Sequence, residues 1–520
     1  MTCYWIDDDF VFHEALLDFV ELFGRHEGEL LAPVILKVLD DYGIAKKLFC
    51  LTSDSASNNG TMCRALSRLL LDRGIVWDYK QRHIPCMAHI IHNNVKAFMT
   101  AIKAAAADNN DFNDEHPDLL EVSESDLQFG DLLSKCRGLA KKIRTPQGWE
   151  EFQRICNTLR IKPLKILLDA ATRWGSTHRM LERVLYLREA VRRFTFDRDD
   201  CEQFIFTEAE WNLLELICGF LWPFRWATEA LESTEKPELD RVFWIYNKLF
   251  SQIEAFQRTL TAREARAEPW AAELRVALDK MHQHLSKYYG KADQSVYTDS
   301  MILHPRIKLK LFDTPDWNDG DAERYRKICR DNYNANYANL TQPDIGTPYN
   351  GLSHKRKAKV VEDEYDQYLH DKLSTSISGH ELDMYLREQT SNIKCALEYW
   401  RCHHQKYPHL AMMARDVLAV PPSGAGVERE FSIAGRVATW QRNRLHANTV
   451  TSLMIYKNYL KRCGDEIKLD IRVMEADGLG TVEDVEAETQ EEEEEATRTI
   501  EEWRQDWRSR LDGGRGTRRL

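Results

Sequence analysis

Apolar and polar positions alternate in different ways along the chain. CYWI (3–6) and EALLDFVELF (14–23) are rich in aromatic and aliphatic residues and read as strands, and GELLAPVILKVLDDYGI (28–44) has apolar residues at helical spacing. KLFCLTSD (47–54) is an apolar run ending in an acid. A helix over about 57–73 follows it, opening among Ser and Asn residues that cap well. HIPCMAHIIHNNVKAFMTAI (83–102) reads as a short strand turning into a helix. Strand and helix therefore alternate through about residue 105, which predicts a sheet covered by helices. After a polar loop at 107–118, nearly every segment from Asp126 to Arg330 has helical periodicity with frequent aromatics. Residues 331–364 lack periodicity and read as a linker or disordered insert. Helices return from Ser391 to Cys463. The expected division is 1–125 (mixed strand and helix), 126–330 (all-helical), 331–390 (linker or disordered insert), 391–463 (helical) and 464–520 (acidic tail).

Composition narrows the class of protein. The 520 residues are 43% hydrophobic and 30% charged, as in a soluble globular protein. Two or three domains are expected at this length. No apolar run approaches the roughly 18 residues of a membrane span, and the N-terminus lacks a signal-peptide pattern. The 12 Cys include no C-x-x-C pair, which fits buried thiols in a reduced, intracellular protein. Net charge is −12, but residues 464–520 hold 18 acidic and 9 basic residues, a net of −9, leaving −3 for the other 463. Five consecutive Glu at 491–495 read as a solvated or helical extension. A nearly neutral body excludes nothing about DNA.

Three places could carry chemistry. Asp54 ends a strand where α/β folds collect ligands and catalytic groups, and it equally suits a cap for the following helix. Cys86 and His89, at i and i+3, could belong to a zinc site with His83 and Cys63, or be a packed thiol and a hydrogen-bonded His. The CHH at 402–404 is as weak a signal. In VPPSGAGVEREFSIAGRV (420–437), two Pro end one helix and Ser423 suits the start of the next. Val427, Phe431 and Ala434 make an apolar stripe there, with Glu428 beside it and expected to be partly buried.

Taken in order, LTSDSASNNGTM, CMAHIIHNNV, ATRWGSTHRMLERV, ILHPRIKLKLF and the run from YWRCHHQKYPHL to MIYKNYLK resemble landmarks of the hAT superfamily of DNA transposases, over about residues 1–461. The resemblance implies an α/β, RNase H-like fold with an incomplete sheet, interrupted by a large all-α insertion domain and followed by a C-terminal helical dimerisation region. It implies three carboxylates holding two divalent metals, Mg²⁺ or Mn²⁺, which suit hard oxygen ligands. Asp54 matches the second acid and Glu428 the third, as catalytic residues and metal ligands. The first acid lies in the family on a strand upstream of the one that TCYWID resembles, so the expectation is a truncated chain with two of three acids. Asp7, Asp8 and Asp9 are not in the equivalent place.

Two functions follow: a transposon-derived, dimerising, nucleic-acid-associated protein that is catalytically inactive, or an active strand-transferring enzyme if the missing strand exists upstream. The first is preferred, because two carboxylates coordinate a metal pair poorly, and it needs no cofactor. Trp174 and Arg173 read as a core Trp with a surface Arg. The resemblance suggests instead that Trp174 stacks on an unpaired DNA base and Arg173 meets phosphate. Self-association is expected from Trp400, Tyr407, Pro408, Leu410, Met413, Ala414, Leu418, Leu453 and Leu460, which line helical faces over 397–460. The expected partners are a second copy of the chain and DNA, with no membrane and no small-molecule substrate. The basic run HKRKAK (354–359) points to the nucleus.

Overall fold

The computed structural model describes residues 1–20, 28–101, 128–169, 174–196, 198–231, 239–261, 270–289, 294–314, 317–340, 380–437, 447–462 and 498–503. It is mostly helical with two small sheets. β1 (Thr2–Ile6) pairs antiparallel with β2 (Phe12–Leu16), with Thr2 opposite Leu16 and Ile6 opposite Phe12. The hairpin turn is organised by Asp7, whose Oδ1 accepts from the backbone N–H groups of Asp9 (3.0 Å) and Val11 (2.8 Å) while Oδ2 pairs with His13 (2.7 Å). β3 (Leu51–Ser53) pairs parallel with β4 (His83–Pro85). Among the described residues these two pairs are separate sheets.

Between β2 and β3 runs α1 (Gly28–Asp41), and α2 (Ser57–Leu71) follows β3. A Cβ on Gly28 would lie 2.2 Å from the Asn58 carbonyl oxygen and 2.6 Å from the Met62 nitrogen, so only glycine lets α1 approach the backbone of α2 this closely. Ala32, Leu36, Met62, Cys63, Leu66 and Leu70 form the core between the two helices. The short α3 (Tyr79–Arg82) leads into β4, and α4 (Met87–Ala101) leaves it.

The chain divides into two compact units. One comprises 1–87, 231–245 and 290–463, and the other 88–230, 246–289 and 464–520. The helical unit thus starts with α4 rather than at 126, and segments 231–245 and 290–330, expected in it, pack with the strands. The second unit contains α5 (Gln128–Ile143), α6 (Pro146–Leu159), α7 (Trp174–Tyr186), α8 (Arg188–Phe196), most of α9 (Glu208–Leu231) and α10 (Val242–Thr261), and α11 (Trp270–Tyr289). Its core includes Phe98, Phe220 and Phe256, with ring centroids 5.0 and 4.4 Å from Phe220. Thr145 opens α6 by accepting the Gly148 N–H, with Pro146 at the first helical position.

The first unit is completed by α12 (Ser295–Ile302), α13 (Asp321–Asn336), α14 (Glu381–Arg387), α15 (Ala396–His403), α16 (Pro408–Leu418), α17 (Ala425–Val437) and α18 (Ala447–Arg462). The linker expected over 331–390 is therefore narrower. α13 continues to Asn336, buried through Tyr325, Cys329 and Tyr333, and α14 begins at Glu381. Residues 341–379, including the 354–359 basic run, lie outside the described residues.

Candidate functional site

The carboxyl end of β3 delivers Asp54, which is exposed. Its Oδ1 accepts from the Ala56 N–H (3.0 Å) and from Asn59 Nδ2 (2.5 Å), so the side chain shapes the turn into α2. The helix itself starts from Ala56 with no side-chain cap, so Asp54 shapes the turn ahead of α2 and is not its N-cap.

Four hydrogen bonds hold the stretch Pro421–Gly424 in this unit. Thr52 Oγ1 donates to the Pro421 carbonyl (2.9 Å), the Met87 N–H to the Pro422 carbonyl (2.9 Å) and Ser423 Oγ to the Leu231 carbonyl (2.8 Å), while the Gly424 N–H donates to Cys86 Sγ (3.2 Å). These bonds seat the stretch over the ends of β3 and β4, where a Cβ on Gly424 would meet only Cys86 Sγ, at an ordinary 3.9 Å. α17 then runs onto the other pair of strands. A Cβ on Gly426 would sit 1.9 Å from Tyr4 Oη and 2.3 Å from Glu14 Oε1, and Arg429 pairs with Glu14 at 3.1 Å. Burial pushes the Tyr4 hydroxyl up to about 12, so it stays protonated.

The first turn of α17, which carries Glu428, is thus bracketed by both strand pairs. Asp54 and Glu428 are 374 positions apart (428 − 54), yet they flank one hydrogen-bonded junction through Thr52 and Pro421. Burial differs from expectation. Glu428 is exposed, and the buried acid of this helix is Glu430, which accepts from Asn458 Nδ2 (3.1 Å). Asn458 Oδ1 in turn accepts the Leu16 N–H (3.1 Å), tying α18 to β2. Phe431, expected in the packed stripe, is 61% exposed. No hydrogen bond or ion pair joins Asp54 to Glu428 among the described residues, and no three His, Cys, Asp or Glu there are grouped to hold a metal ion. Two carboxylates alone do not fit a metal pair.

The zinc alternative separates into four roles. Cys86 is buried against the Gly424 N–H, and Cys63 lies in the α1–α2 core, where burial pushes its thiol up to about 12. His83 bonds Ser53 Oγ at 2.8 Å. His89 lies against His92, which burial and the neighbouring His89 and Lys96 lower to about 4.

Trp174, the first residue of α7, is 8% exposed and packs as core, so it offers no face to a base; Arg173 lies outside the described residues. What the THRMLER pattern builds instead is a buried polar network. Asp169 accepts from Arg137 (2.8 and 2.7 Å) and Thr177 (2.9 Å), and Glu182 accepts from Arg225 (2.9 Å). Burial alone would raise the Asp169 carboxyl, but the Arg137 guanidinium holds it below the usual range. A lone Asp inside the apolar ILLDAA, followed by polar residues at helical spacing, was the available signal.

The residues expected at a dimer contact mostly serve the protomer itself. Trp400, Tyr407, Leu410, Met413, Ala414 and Leu418 are buried, and Trp400 Nε1 donates to the Leu303 carbonyl at 2.9 Å. Pro408 starts α16 and is half-buried. The apolar surface left exposed is on α17 and α18: Phe431 and, at i, i+3 and i+6, Leu453, Tyr456 and Tyr459, which are 39%, 58% and 60% exposed. Their opposite face is anchored by Met454 packing with Ala434 and Leu16. The side chain of Leu460 lies outside the described residues.

Comparison with known proteins places family resemblances along the same segments. Residues 381–460 match the hAT family C-terminal dimerisation region, residues 1–80 the ZBED1 RNase-like domain and residues 84–220 the ZBED1 RNase-like helical domain. Similar proteins include the putative transcriptional regulator tpeD of Talaromyces stipitatus, 29% identical over 88% of this chain and 51% of that protein. The putative AC transposase of Zea mays is 24% identical over 88% of this chain and 54% of its own length. A third relative is the zinc finger BED domain-containing protein RICESLEEPER 1 of Oryza sativa, 24% identical over 88% and 62%. The chain spans about half the length of the first two relatives.

Proposed function

Because the chain belongs to the hAT superfamily, we propose that it works as a self-associating, DNA-associated protein of transposon origin, forming a homodimer or higher oligomer. The observation that carries this reading is the exposed apolar stripe of Leu453, Tyr456 and Tyr459 beside Phe431, inside the matched dimerisation region. Surfaces of this kind mark interfaces, and tyrosines are enriched at them. DNA association and a nuclear location are supported by the relatives named as a transposase and as a transcriptional regulator. An RNase H-like arrangement is supported by the antiparallel and parallel strand pairs that α17 brings together. The decisive variant is Leu453→Asp with Tyr456→Glu, assayed by sedimentation velocity and circular dichroism. Dissociation to monomers with unchanged helix content supports the reading, whereas an unchanged oligomer moves the interface elsewhere.

A second reading, metal-dependent strand cleavage, is favoured by the junction that unites the ends of β3 and α17. It requires a third carboxylate from outside the described residues, together with Mg²⁺ or Mn²⁺. Nicking of supercoiled DNA that needs Mn²⁺ and is lost in both Asp54→Asn and Glu428→Gln would establish it. In the preferred reading the chain is catalytically silent and both substitutions leave self-association intact.

A further inference from the structure

Two segments far apart in the sequence are laced together in the first unit. The Ser391 N–H donates to the Pro305 carbonyl (3.0 Å), and Lys310 Nζ donates to Thr390 Oγ1 (3.2 Å). The buried Lys308 ammonium donates to the carbonyls of Tyr385 (2.5 Å), Glu388 (3.1 Å) and Gln389 (3.5 Å). Lys308 thus keeps its charge inside. The other cations of the two segments, Arg306, Lys310, Arg387 and Lys394, are all exposed, and among the described residues none of the four forms an ion pair. Over 305–312 and 385–397 the chain holds five basic residues (these four and Lys308) and one acid, Glu388. That acid is already matched: it pairs with Lys406 and accepts from the Tyr399 hydroxyl (3.2 Å). The acids that follow the two segments, Asp313 and Glu398, are exposed.

Like charges held on one scaffold repel, and an anionic partner relieves that repulsion. The residues between Glu388 and Ile393 are uncharged hydrogen-bonding groups, Gln389, Thr390, Ser391 and Asn392, and no large apolar side chain is exposed in either segment. A protein partner would call for aromatic or aliphatic anchors, whereas phosphate oxygens call for cations and neutral donors. Lys308 also fixes the backbone of Glu388 and Gln389 in advance, so little ordering is left to oppose binding. We propose that Arg306, Lys310, Arg387 and Lys394 form a docking surface for the phosphate backbone of duplex DNA. Contacts of this kind position the duplex and carry no base sequence. The proposal rests on the DNA-association reading above and names a surface for it.

The full chain is compared with a variant in which Arg306, Lys310, Arg387 and Lys394 all become Gln. A control changes Lys37, Lys46, Lys47 and Arg64 to Gln; these are also exposed and also without ion pairs among the described residues. Both variants lose four positive charges, so a difference between them reports place and not net charge. Circular dichroism and sedimentation check that each keeps the parent fold. Binding is read by fluorescence anisotropy over a salt series, with a labelled 30-base-pair duplex and with a labelled poly-Glu peptide. Each phosphate contact contributes about −0.9 to the slope of log affinity against log salt. The patch variant is expected to bind the duplex about tenfold more weakly near about 0.1 M salt, with a slope shallower by about 3–4, while the control binds nearly as the parent does. A parent that binds DNA, with the patch variant no weaker than the control, overturns this surface and leaves DNA association standing. A parent that binds no duplex at any salt overturns both. Patch-dependent binding of poly-Glu but not of the duplex assigns the surface to an acidic protein segment and overturns the DNA proposal.

Discussion

Replacing Gly426 by Ala tests how α17 is seated. The new Cβ would lie 1.9 Å from Tyr4 Oη, 2.3 Å from Glu14 Oε1 and 3.1 Å from Tyr4 Cζ. Glu14 is the flexible end of a side chain and can withdraw, although withdrawal weakens its pairing with Arg429. Tyr4 cannot withdraw so easily. It sits in β1 opposite Glu14, stacks on Phe12 with centroids 6.0 Å apart, and its hydroxyl donates to Glu14 at 3.3 Å. The clash must therefore shift the start of α17 or the ring, at about 1–3 kcal/mol. Tyr4→Phe removes the nearest atom blocking the methyl group, and by itself loses two hydrogen bonds, the one donated to Glu14 and the one accepted from Thr2 (3.4 Å), each worth about 1 kcal/mol. The double variant is then expected to be more stable than the sum of the single losses implies, with a coupling of about 1 kcal/mol or more. Urea melts followed by far-ultraviolet circular dichroism on the four proteins of the cycle measure it. Additive losses, or a Gly426→Ala protein as stable as the parent, would refute the seating described here.

Trp174→Ala is expected to destabilise the helical unit by about 3–5 kcal/mol, as for a buried Trp, and to leave DNA affinity of the remaining folded protein unchanged. Lys308 is 3% exposed, has φ 48°, and donates to the carbonyls of Tyr385 (2.5 Å) and Glu388 (3.1 Å) at the end of α14. Lys308→Met strands these acceptors and should cost about 2–4 kcal/mol in a thermal melt. Asp299 is fully buried, and burial raises its carboxyl to about 7, against the hydrogen bond from Asn332 and the charge of Arg82, which lower it. The folded state therefore holds a proton that the unfolded chain releases near pH 4, so stability falls as pH rises from about 4 to 7 by up to about 4 kcal/mol. Asp299→Asn should flatten that fall in a pH series of urea melts; an unaltered slope would assign it to other groups.

Periodicity located α1, α2 and α4 within a few residues, because each buries one apolar stripe. Strands were harder. β2 covers 12–16 rather than 14–23, and β3 and β4 are three residues each, too short for alternation to register. The polar run through α13 concealed a usable signal, since Tyr325, Cys329 and Tyr333 recur at i, i+4 and i+8. At the junction, the sequence pattern showed that α17 packs but not by which register. The helix turns Glu430 inward and Glu428 outward, and that choice is made by Glu14, Asn458 and Leu16, residues far away in the chain. The same limit explains the dimer surface. Counting apolar positions on α15 and at the start of α16 could not reveal that Leu303 and Tyr385, far away along the chain, help cover Trp400 and Tyr407.

Self-association through the α17–α18 face is the central claim. Sedimentation equilibrium of the 520-residue protein at about micromolar concentration, in low and high salt, tests it directly, because an apolar interface is large and resists salt. The account predicts a dimer or higher oligomer at both salt concentrations. A monomeric mass in both, with α18 shown to be folded by hydrogen exchange, would contradict it.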